Sequence, residues 1–269
     1  MKPNPTLPIG VFDSGVGGLT VLAALTKAMP QESFIYFGDT ARTPYGTKTL
    51  GMVQAFASEI GDFLQQQGIK ALVIACNTAS AAAAESLRKT LPVPVIDVIT
   101  PTLDAALALP QAGATVGVMG TTATMQSGLY QQRIAEAGFG VWAQACPLLA
   151  PMVEEGLWDD PIAEKVLQHY LHTAPAGLTH LILACTHYPI LKSTIRKVLP
   201  GVALIDSAEA TAHAVAQQLQ QAELAAPQGQ GGVRHIVSGD VRAYQLMASR
   251  FLFPAALVEG VNVRSLAVA

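Results

Sequence analysis

Two of the three cysteines in this 269-residue chain, Cys76 and Cys185, lie in closely similar surroundings. Each follows four apolar residues and precedes small polar ones, in residues 72–80 (LVIACNTAS) and 181–189 (LILACTHYP). Such apolar runs are typical of buried strands in parallel sheets, which bind ligands beyond their carboxyl ends. The repeat therefore predicts two similar α/β halves with one thiol on each wall of a shared cleft. A chance likeness of two buried strands is the alternative.

A thiol on either side of a substrate suits racemisation at a carbon that carries a weakly acidic proton. One group removes the proton from one face while the other returns a proton to the opposite face, so that no group crosses the substrate plane. A free cysteine has a pKa of about 8.5, and the N-terminus of a following helix would lower it. We therefore predict that Cys76 and Cys185 alternate as thiolate and thiol, each at the first turn of a helix.

His187, two residues after Cys185, is a candidate partner for that thiol or a general acid; a buried structural histidine is the alternative. A metal site made of Cys76, Cys185 and His187 is another interpretation, but no CxxC or HxxxH pair supports a structural zinc. A protease-like Cys-His dyad would leave one cysteine without a role. Cys146 has no comparable polar neighbours, so we predict that it is structural.

Two polar loops could hold an anion. The glycines of residues 13–18 (DSGVGG) allow a tight turn that brings backbone N–H groups to an anion. The segment lacks the Lys-Ser/Thr pair of a P-loop, and Asp13 would repel phosphate. A carboxylate ligand with a nearby ammonium fits better, with Asp13 binding the ammonium or assisting proton transfer, unless it caps a helix. In residues 38–46, backbone N–H groups and Tyr45 could pin a carboxylate, unless this is an ordinary loop.

Short apolar runs alternate with longer helical segments and would position these residues. We predict strands over 9–12, 34–37, 72–75, 95–98, 116–119, 181–184 and 203–205, and helices over 18–29, 51–67, 79–90, 127–137 and 209–224. This alternation is typical of βαβ units, whose mainly parallel sheets carry helices on both faces. Residues 225–232 are predicted to be a surface loop, and Pro101 and Pro110 flank another possible junction.

The composition excludes several classes of protein. Hydrophobic residues make up 51% of the chain and charged residues 13%, which favours a large core over disorder. A net charge of -3 gives no reason to expect nucleic acid or a membrane as an obligatory partner. No apolar run approaches the roughly 20 residues of a membrane span, and residues 1–8 do not resemble a signal peptide. We therefore expect a cytoplasmic protein without disulfides.

Six motifs together resemble the glutamate racemases of the aspartate/glutamate racemase superfamily, over nearly the whole chain. They are residues 12–20 (FDSGVGGLT), 36–40 (YFGDT) with 44–46 (PYG), 75–79 (ACNTA), 117–121 (GVMGT), 185–189 (CTHYP) and 206–207 (DS). The resemblance implies two pseudo-symmetric α/β domains with mainly parallel sheets and the active site in the cleft between them. It places residues 1–98 plus 208–269 in the first domain and 99–207 in the second.

The resemblance also implies roles for individual residues. Cys76 and Cys185 would be the two bases, assisted by Asp13 and His187. Glu154 falls where the family has a functional acid, although Glu155 competes for that position. The substrate-binding positions would be Asp13, Ser14, Pro44, Tyr45, Gly46, Asn77, Thr78, Thr121 and Thr186.

The implied function is cofactor-independent conversion of L-glutamate to D-glutamate for peptidoglycan synthesis, and hence cell wall biogenesis and cell shape, often by a homodimer. No metal is implied, and no lysine occupies a glycine-rich loop of the kind that binds pyridoxal phosphate. Ala184 replaces a common glycine, and residues 251–254 differ from a common ending. The first motif starts at Ile9, so control by a cell-wall precursor through an N-terminal extension is not expected.

Three alternatives remain from the sequence. The chain could racemise aspartate or another acidic amino acid, although aspartate racemases usually open with a glycine- and methionine-rich motif. A decarboxylase or cis-trans isomerase of the superfamily could reuse one or both thiols. A non-catalytic binding protein for acidic amino acids could keep the cleft without turnover, but it would tolerate serine at either thiol position.

Overall fold

The computed structural model describes residues 4–108, 113–229, 231–251, 258–262 and 266, and within them the strands form two sheets. The strands are β1 (Ile9–Asp13), β2 (Phe34–Gly38), β3 (Ala71–Ile74), β4 (Val95–Asp97), β5 (Thr115–Gly120), β6 (Gly140–Ala145), β7 (Leu178–Ala184), β8 (Ala203–Asp206), β9 (Val233–Val237) and β10 (Val258–Gly260). The helices are α1 (Leu19–Ala28), α2 (Leu50–Gln66), α3 (Asn77–Thr90), α4 (Ile99–Leu107), α5 (Thr122–Gln126), α6 (Leu129–Glu136), α7 (Leu149–Glu154), α8 (Pro161–Leu171), α9 (Lys192–Val198), α10 (Ser207–Gln221) and α11 (Val241–Arg250), with 3₁₀ turns at Tyr45–Thr47 and Tyr188–Leu191.

The two sheets repeat one strand order. The first runs β10-β9-β2-β1-β3-β4 and the second β6-β5-β7-β8, and the pairs are parallel. The segment β2-β1-β3-β4 therefore corresponds to β6-β5-β7-β8. The strand order reverses between β1 and β3 in the first sheet and between β5 and β7 in the second. Open α/β sheets bind ligands at the carboxyl ends of the strands beside such a reversal. The predicted α/β class with two mainly parallel sheets is confirmed.

Two apolar clusters show where the chain leaves the first sheet for the second and where it returns. One apolar cluster joins β1, β2 and β3 to α1 and α10, and another joins α4 and α6 to β5 and β7. The chain thus leaves the first sheet before α4 and returns to it with α10. The domain division at residues 98/99 and 207/208 stays a prediction.

The predicted strands and helices are present, with their ends shifted by up to three residues. The predicted helix over 127–137 begins later, because Gly128 adopts a φ of 72° and separates α5 from α6. The predictions missed β6, whose residues are half-buried or exposed, and also β9 and β10. Pro110 and residues 252–254 of the unusual ending lie outside the described residues.

A buried ion pair fastens the first sheet to two connecting segments. The Lys70 ammonium lies 2.5 Å from a Glu32 carboxylate oxygen and donates to the Pro5 carbonyl at 2.6 Å. The second Glu32 oxygen accepts from the Ala226 N–H at 2.7 Å. The loop after α10 is therefore anchored at its start. None of the helices in the described part of the chain is long and apolar enough to cross a membrane.

Candidate active site

A cavity of about 250 Å³ is lined by the segments that follow strands of both sheets. We call the side of the cavity formed by the first sheet's segments the first wall, and the side formed by the second sheet's segments the second wall. The first wall consists of Ser14, residues 43–47 and residues 76–78. The second wall consists of Thr121, Thr122, Pro147, Ala150, Pro151, Glu154 and residues 185–188. Cys76 follows β3 and Cys185 follows β7, so the two thiols occupy equivalent places in the repeated strand order and line one cavity.

Cys76 is the N-cap residue of α3 and is only 6% exposed. Its sulfur accepts the Ala79 N–H at 3.5 Å, and the Ser14 hydroxyl oxygen lies 3.9 Å away. Burial, with the nearby Asp13 carboxylate, raises the pKa of Cys76 to about 12 despite the Ala79 hydrogen bond. The helix N-terminus lowers this pKa as predicted, through the Ala79 N–H, but desolvation outweighs it and the net shift is upward. Cys76 rests as a thiol.

Cys185 is also 6% exposed, but no α-helix starts directly after it. An α-helix there would need the N–H of residue 189 to bond the Cys185 carbonyl, and Pro189 has no N–H. The Tyr188 N–H bonds that carbonyl instead, at 3.1 Å, which starts a 3₁₀ turn. The helical turn predicted at the second cysteine is therefore a 3₁₀ turn and not the start of an α-helix.

His187 connects Cys185 to an acidic residue. Its Nδ1 lies 3.8 Å from the Cys185 sulfur, and its Nε2 lies 2.9 Å from a Glu154 carboxylate oxygen. Burial alone would lower the pKa of His187, but these two partners raise it to about 10. A protonated imidazole beside the sulfur stabilises a thiolate there. Glu154 makes this contact, whereas Glu155 is exposed.

Asp13 is fully buried behind the first wall and does not line the cavity. One carboxylate oxygen accepts the Gly15 N–H at 2.9 Å, and the other has no hydrogen-bond partner among the described residues. Burial raises the pKa of Asp13. The helix-cap alternative is wrong, because α1 has Gly18 at its N-cap and no side-chain cap.

Two glycines on the side of the first sheet, Gly17 behind the first wall and Gly46 within it, allow close contact with the second wall. A Cβ on Gly17 would lie 2.3 Å from the Thr186 hydroxyl oxygen and 2.5 Å from His187 Nδ1. A Cβ on Gly46 would lie 2.7 Å from the Thr121 Cβ. All three distances are far below van der Waals contact, so a side chain at either position would push the second wall away.

Tyr45 lines the cavity, but its hydroxyl group points elsewhere. That hydroxyl donates to the Asp39 carboxylate, which also accepts from Arg42 Nε at 2.7 Å and from the Ser238 hydroxyl at 2.7 Å. The tyrosine hydroxyl is therefore not the group that could pin a carboxylate. Asp39 was not among the predicted site residues, although an acidic residue directly after a buried strand was a usable signal.

Hydrogen-bonding side chains of both walls meet beside the cavity. The Thr78 hydroxyl lies 2.9 Å from that of Thr121 and 3.1 Å from that of Thr124. The Asn77 carbonyl oxygen accepts from the Tyr130 hydroxyl at 2.7 Å, and its amide nitrogen has no partner among the described residues. The cavity thus offers donors suited to an anionic ligand. Sequence reasoning missed Thr124 and Tyr130, which do not follow a strand end directly.

The structure brings nearly all predicted site residues to this cavity. The lining includes Ser14, Pro44, Tyr45, Gly46, Cys76, Asn77, Thr78, Thr121, Glu154, Cys185, Thr186 and His187. Asp13 lies behind it. Cys146 is buried in the apolar cluster behind the second wall and does not line the cavity. The metal interpretation gains no support, since the described side chains include no group of three or more His, Cys, Asp or Glu that could hold a metal ion.

Comparison with known proteins gives one consistent result. The Asp/Glu/Hydantoin racemase family model matches residues 12–215. A glutamate racemase of Thermus thermophilus is 55% identical over 92% of this chain and 93% of its own length, and one of Geobacter metallireducens is 46% identical over the same shares. The structure superposes with a TM-score of 0.91 on the glutamate racemase of Francisella tularensis in complex with D-glutamate, at 36% identity over 97% of this chain and 99% of that one.

Proposed function

Because this chain belongs to the glutamate racemase family, we propose that it interconverts L- and D-glutamate by moving a proton at Cα between Cys76 and Cys185, without a cofactor. The observation that carries the proposal is the placement of both thiols on opposite walls of one small cavity, at equivalent strand ends. Relatives that are named glutamate racemases, one of them bound to D-glutamate, support glutamate over aspartate as the substrate.

Each wall of the cavity supplies one of the two proton-transfer groups. Cys76 starts the reaction with its proton in place, and the charged His187 lies 3.8 Å from the Cys185 sulfur, where it can stabilise the thiolate that proton removal requires. The Cys185 thiolate removes the Cα proton from one face of the substrate, and the Cys76 thiol delivers its proton to the other face. Turnover leaves the opposite distribution of protons, with Asp13 beside the new Cys76 thiolate. The enantiomer then reacts in the reverse direction.

The carbanion formed at Cα needs electrostatic help. The Asn77 amide and the hydroxyls of Thr78, Thr121 and Thr186 can donate to the substrate carboxylates, and a donor of this kind contributes about 3 kcal/mol in a transition state. Ser14, Pro44, Tyr45 and Gly46 would complete the pocket from the first wall. The close approach of the second wall to Gly17 and Gly46 would exclude water from the bound substrate, which strengthens these interactions.

The family resemblance also supports the biological setting that we propose. D-Glutamate would be supplied in the cytoplasm for peptidoglycan synthesis, and so for cell wall biogenesis and cell shape. The enzyme would act as a homodimer, with residues 1–98 plus 208–269 and residues 99–207 as the two domains of each subunit.

Circular dichroism of the purified protein tests the activity. The optical signal of L-glutamate should decay to zero without added cofactor and in the presence of a chelator. L-Aspartate should react more slowly by roughly 10–200-fold, the range that one methylene group is worth. A constant signal with L-glutamate would contradict the proposal, and faster decay with L-aspartate would make the chain an aspartate racemase.

Isotope exchange tests the use of two bases. When L-glutamate is converted in D₂O, the D-glutamate formed early should carry deuterium at Cα, while the remaining L-glutamate should stay largely unlabelled. A single base that returns its exchanged proton to either face would label both enantiomers equally from the start.

A further inference from the structure

Tyr130 reaches the substrate cavity only through another residue. It lies on α6, beyond the second wall, and its side chain is completely buried. Its hydroxyl donates to the Asn77 side-chain carbonyl oxygen at 2.7 Å, across the boundary between the walls. Tyr130 does not line the cavity, whereas Asn77 does.

The hydrogen bond from Tyr130 decides which end of the Asn77 side-chain amide is free to bond a ligand in the cavity. A primary amide has an acceptor oxygen and a donor NH₂ group of nearly the same shape, so packing alone hardly distinguishes the two orientations. Here the oxygen is occupied by Tyr130, and the 2% exposed side chain keeps an amide nitrogen without a partner among the described residues. A carboxylate in the cavity would accept from this nitrogen, whereas the reversed amide would present a repelling oxygen.

The tyrosine is suited to this task because it stays a donor. Burial and the nearby Asp97 carboxylate raise the pKa of Tyr130 far above its ordinary value, so the hydroxyl keeps its proton at neutral pH. A hydroxyl that donates to Asn77 leaves the amide oxygen satisfied in a buried place where an unsatisfied oxygen would be costly.

We propose that Tyr130 is a positioning residue for substrate binding, which fixes the polarity of the Asn77 amide so that a donor faces the substrate carboxylate. This inference rests on the proposed function and identifies a residue that makes the site specific for a carboxylate. Because Asn77 belongs to the first wall and Tyr130 packs behind the second, the correct polarity is set only when the two walls are docked. The Tyr130–Asn77 hydrogen bond therefore makes binding of an anion depend on the two walls being in contact.

A double-mutant cycle tests whether Tyr130 acts through Asn77. KM and kcat for L-glutamate are measured for the wild type, Tyr130→Phe, Asn77→Ala and the double variant. Tyr130→Phe should raise KM about tenfold, the effect of losing one such hydrogen bond, with a smaller change in kcat. In the Asn77→Ala background the same substitution should change KM less than about twofold, because no amide remains to be oriented. Tyr170→Phe is the matched control, since its buried hydroxyl accepts the Leu148 N–H away from the cavity lining.

Two results would overturn the inference. One is an unchanged KM in Tyr130→Phe. The other is an equal rise of KM in both backgrounds, which would show that Tyr130 acts through general packing. A wild-type protein that binds but does not racemise L-glutamate would contradict the proposed function instead, and the same cycle measured as Kd by calorimetry would still decide the role of Tyr130.

Discussion

His187 and Glu154 form a half-buried contact of 2.9 Å between Nε2 and a carboxylate oxygen, which leaves Nδ1 facing the Cys185 sulfur. The contact holds the ring in one orientation and keeps it charged. The second wall thus carries a positive group beside its thiol, whereas the Asp13 carboxyl group lies buried behind the first wall near Cys76.

Replacement of Glu154 by Gln should narrow the pH range of activity. The pKa of His187 is raised from 6.5 to about 10, so its contribution to stability is fully present below about pH 6.5 and is lost as the pH rises through about 10. Loss of the carboxylate should move the alkaline fall of kcat/KM down by at least about one pH unit. Glu155→Gln, at the exposed neighbour, is the control and should leave the profile unchanged. An identical profile for both variants would argue against the role of Glu154.

Replacement of either proposed base by serine should abolish racemisation while the fold survives. A serine hydroxyl is far less acidic than a thiol, so Cys76→Ser and Cys185→Ser should each lower kcat by at least about a thousandfold. Polarimetry gives the rate, and far-UV circular dichroism gives the fold. Cys146→Ala should stay within a few-fold of the wild-type rate, because this residue lies outside the cavity lining. Full activity of either serine variant would refute the two-base scheme.

Gly17→Ala should damage catalysis more than stability. Its Cβ would lie 2.5 Å from His187 Nδ1, so either the ring or the first wall must move. A displacement of about 1 Å at a catalytic group costs roughly a hundredfold in rate, and we expect a loss of kcat of that size. Gly51→Ala, on α2 with nothing within 4 Å of the added Cβ, should keep full activity and gain about 0.5–1 kcal/mol of stability. Equal kcat values in the two variants would show that the walls do not need this contact.

Asp39→Asn should weaken substrate binding through the loop that contains Tyr45. The buried carboxylate accepts hydrogen bonds from Tyr45, Arg42 and Ser238, and an amide cannot accept all three without its NH₂ group meeting a donor. We expect a higher KM and a loss of about 1–3 kcal/mol in the free energy of unfolding, because a buried hydrogen bond is broken while Arg42 keeps its pair with Glu59. Enzyme kinetics and urea denaturation measure the two effects. Tyr45→Phe, which keeps the ion pair, should show the KM effect with a smaller loss of stability.

The sequence was sufficient for the elements whose pattern is local. Continuous apolar runs such as β1, β3 and β7 predicted buried parallel strands, and the repeat around Cys76 and Cys185 predicted two matching edges. The half-exposed β6 lacks such a run, so it was missed. The polarity of Asn77 depends on Tyr130, which is 53 residues away in the chain, and no local pattern contains that contact. The raised pKa of Cys76 likewise follows from burial that only the folded chain creates.

The unlike surroundings of the two thiols are subject to a thermodynamic limit in a racemase. Mirror-image amino acids have equal free energies in water, so the equilibrium constant between them is unity and kcat/KM must be the same in both directions. The unlike neighbours of the two thiols, an imidazolium on one side and a carboxyl group on the other, can therefore favour neither enantiomer in kcat/KM. Whatever they add to the turnover number of one enantiomer must reappear, by the same factor, in its KM.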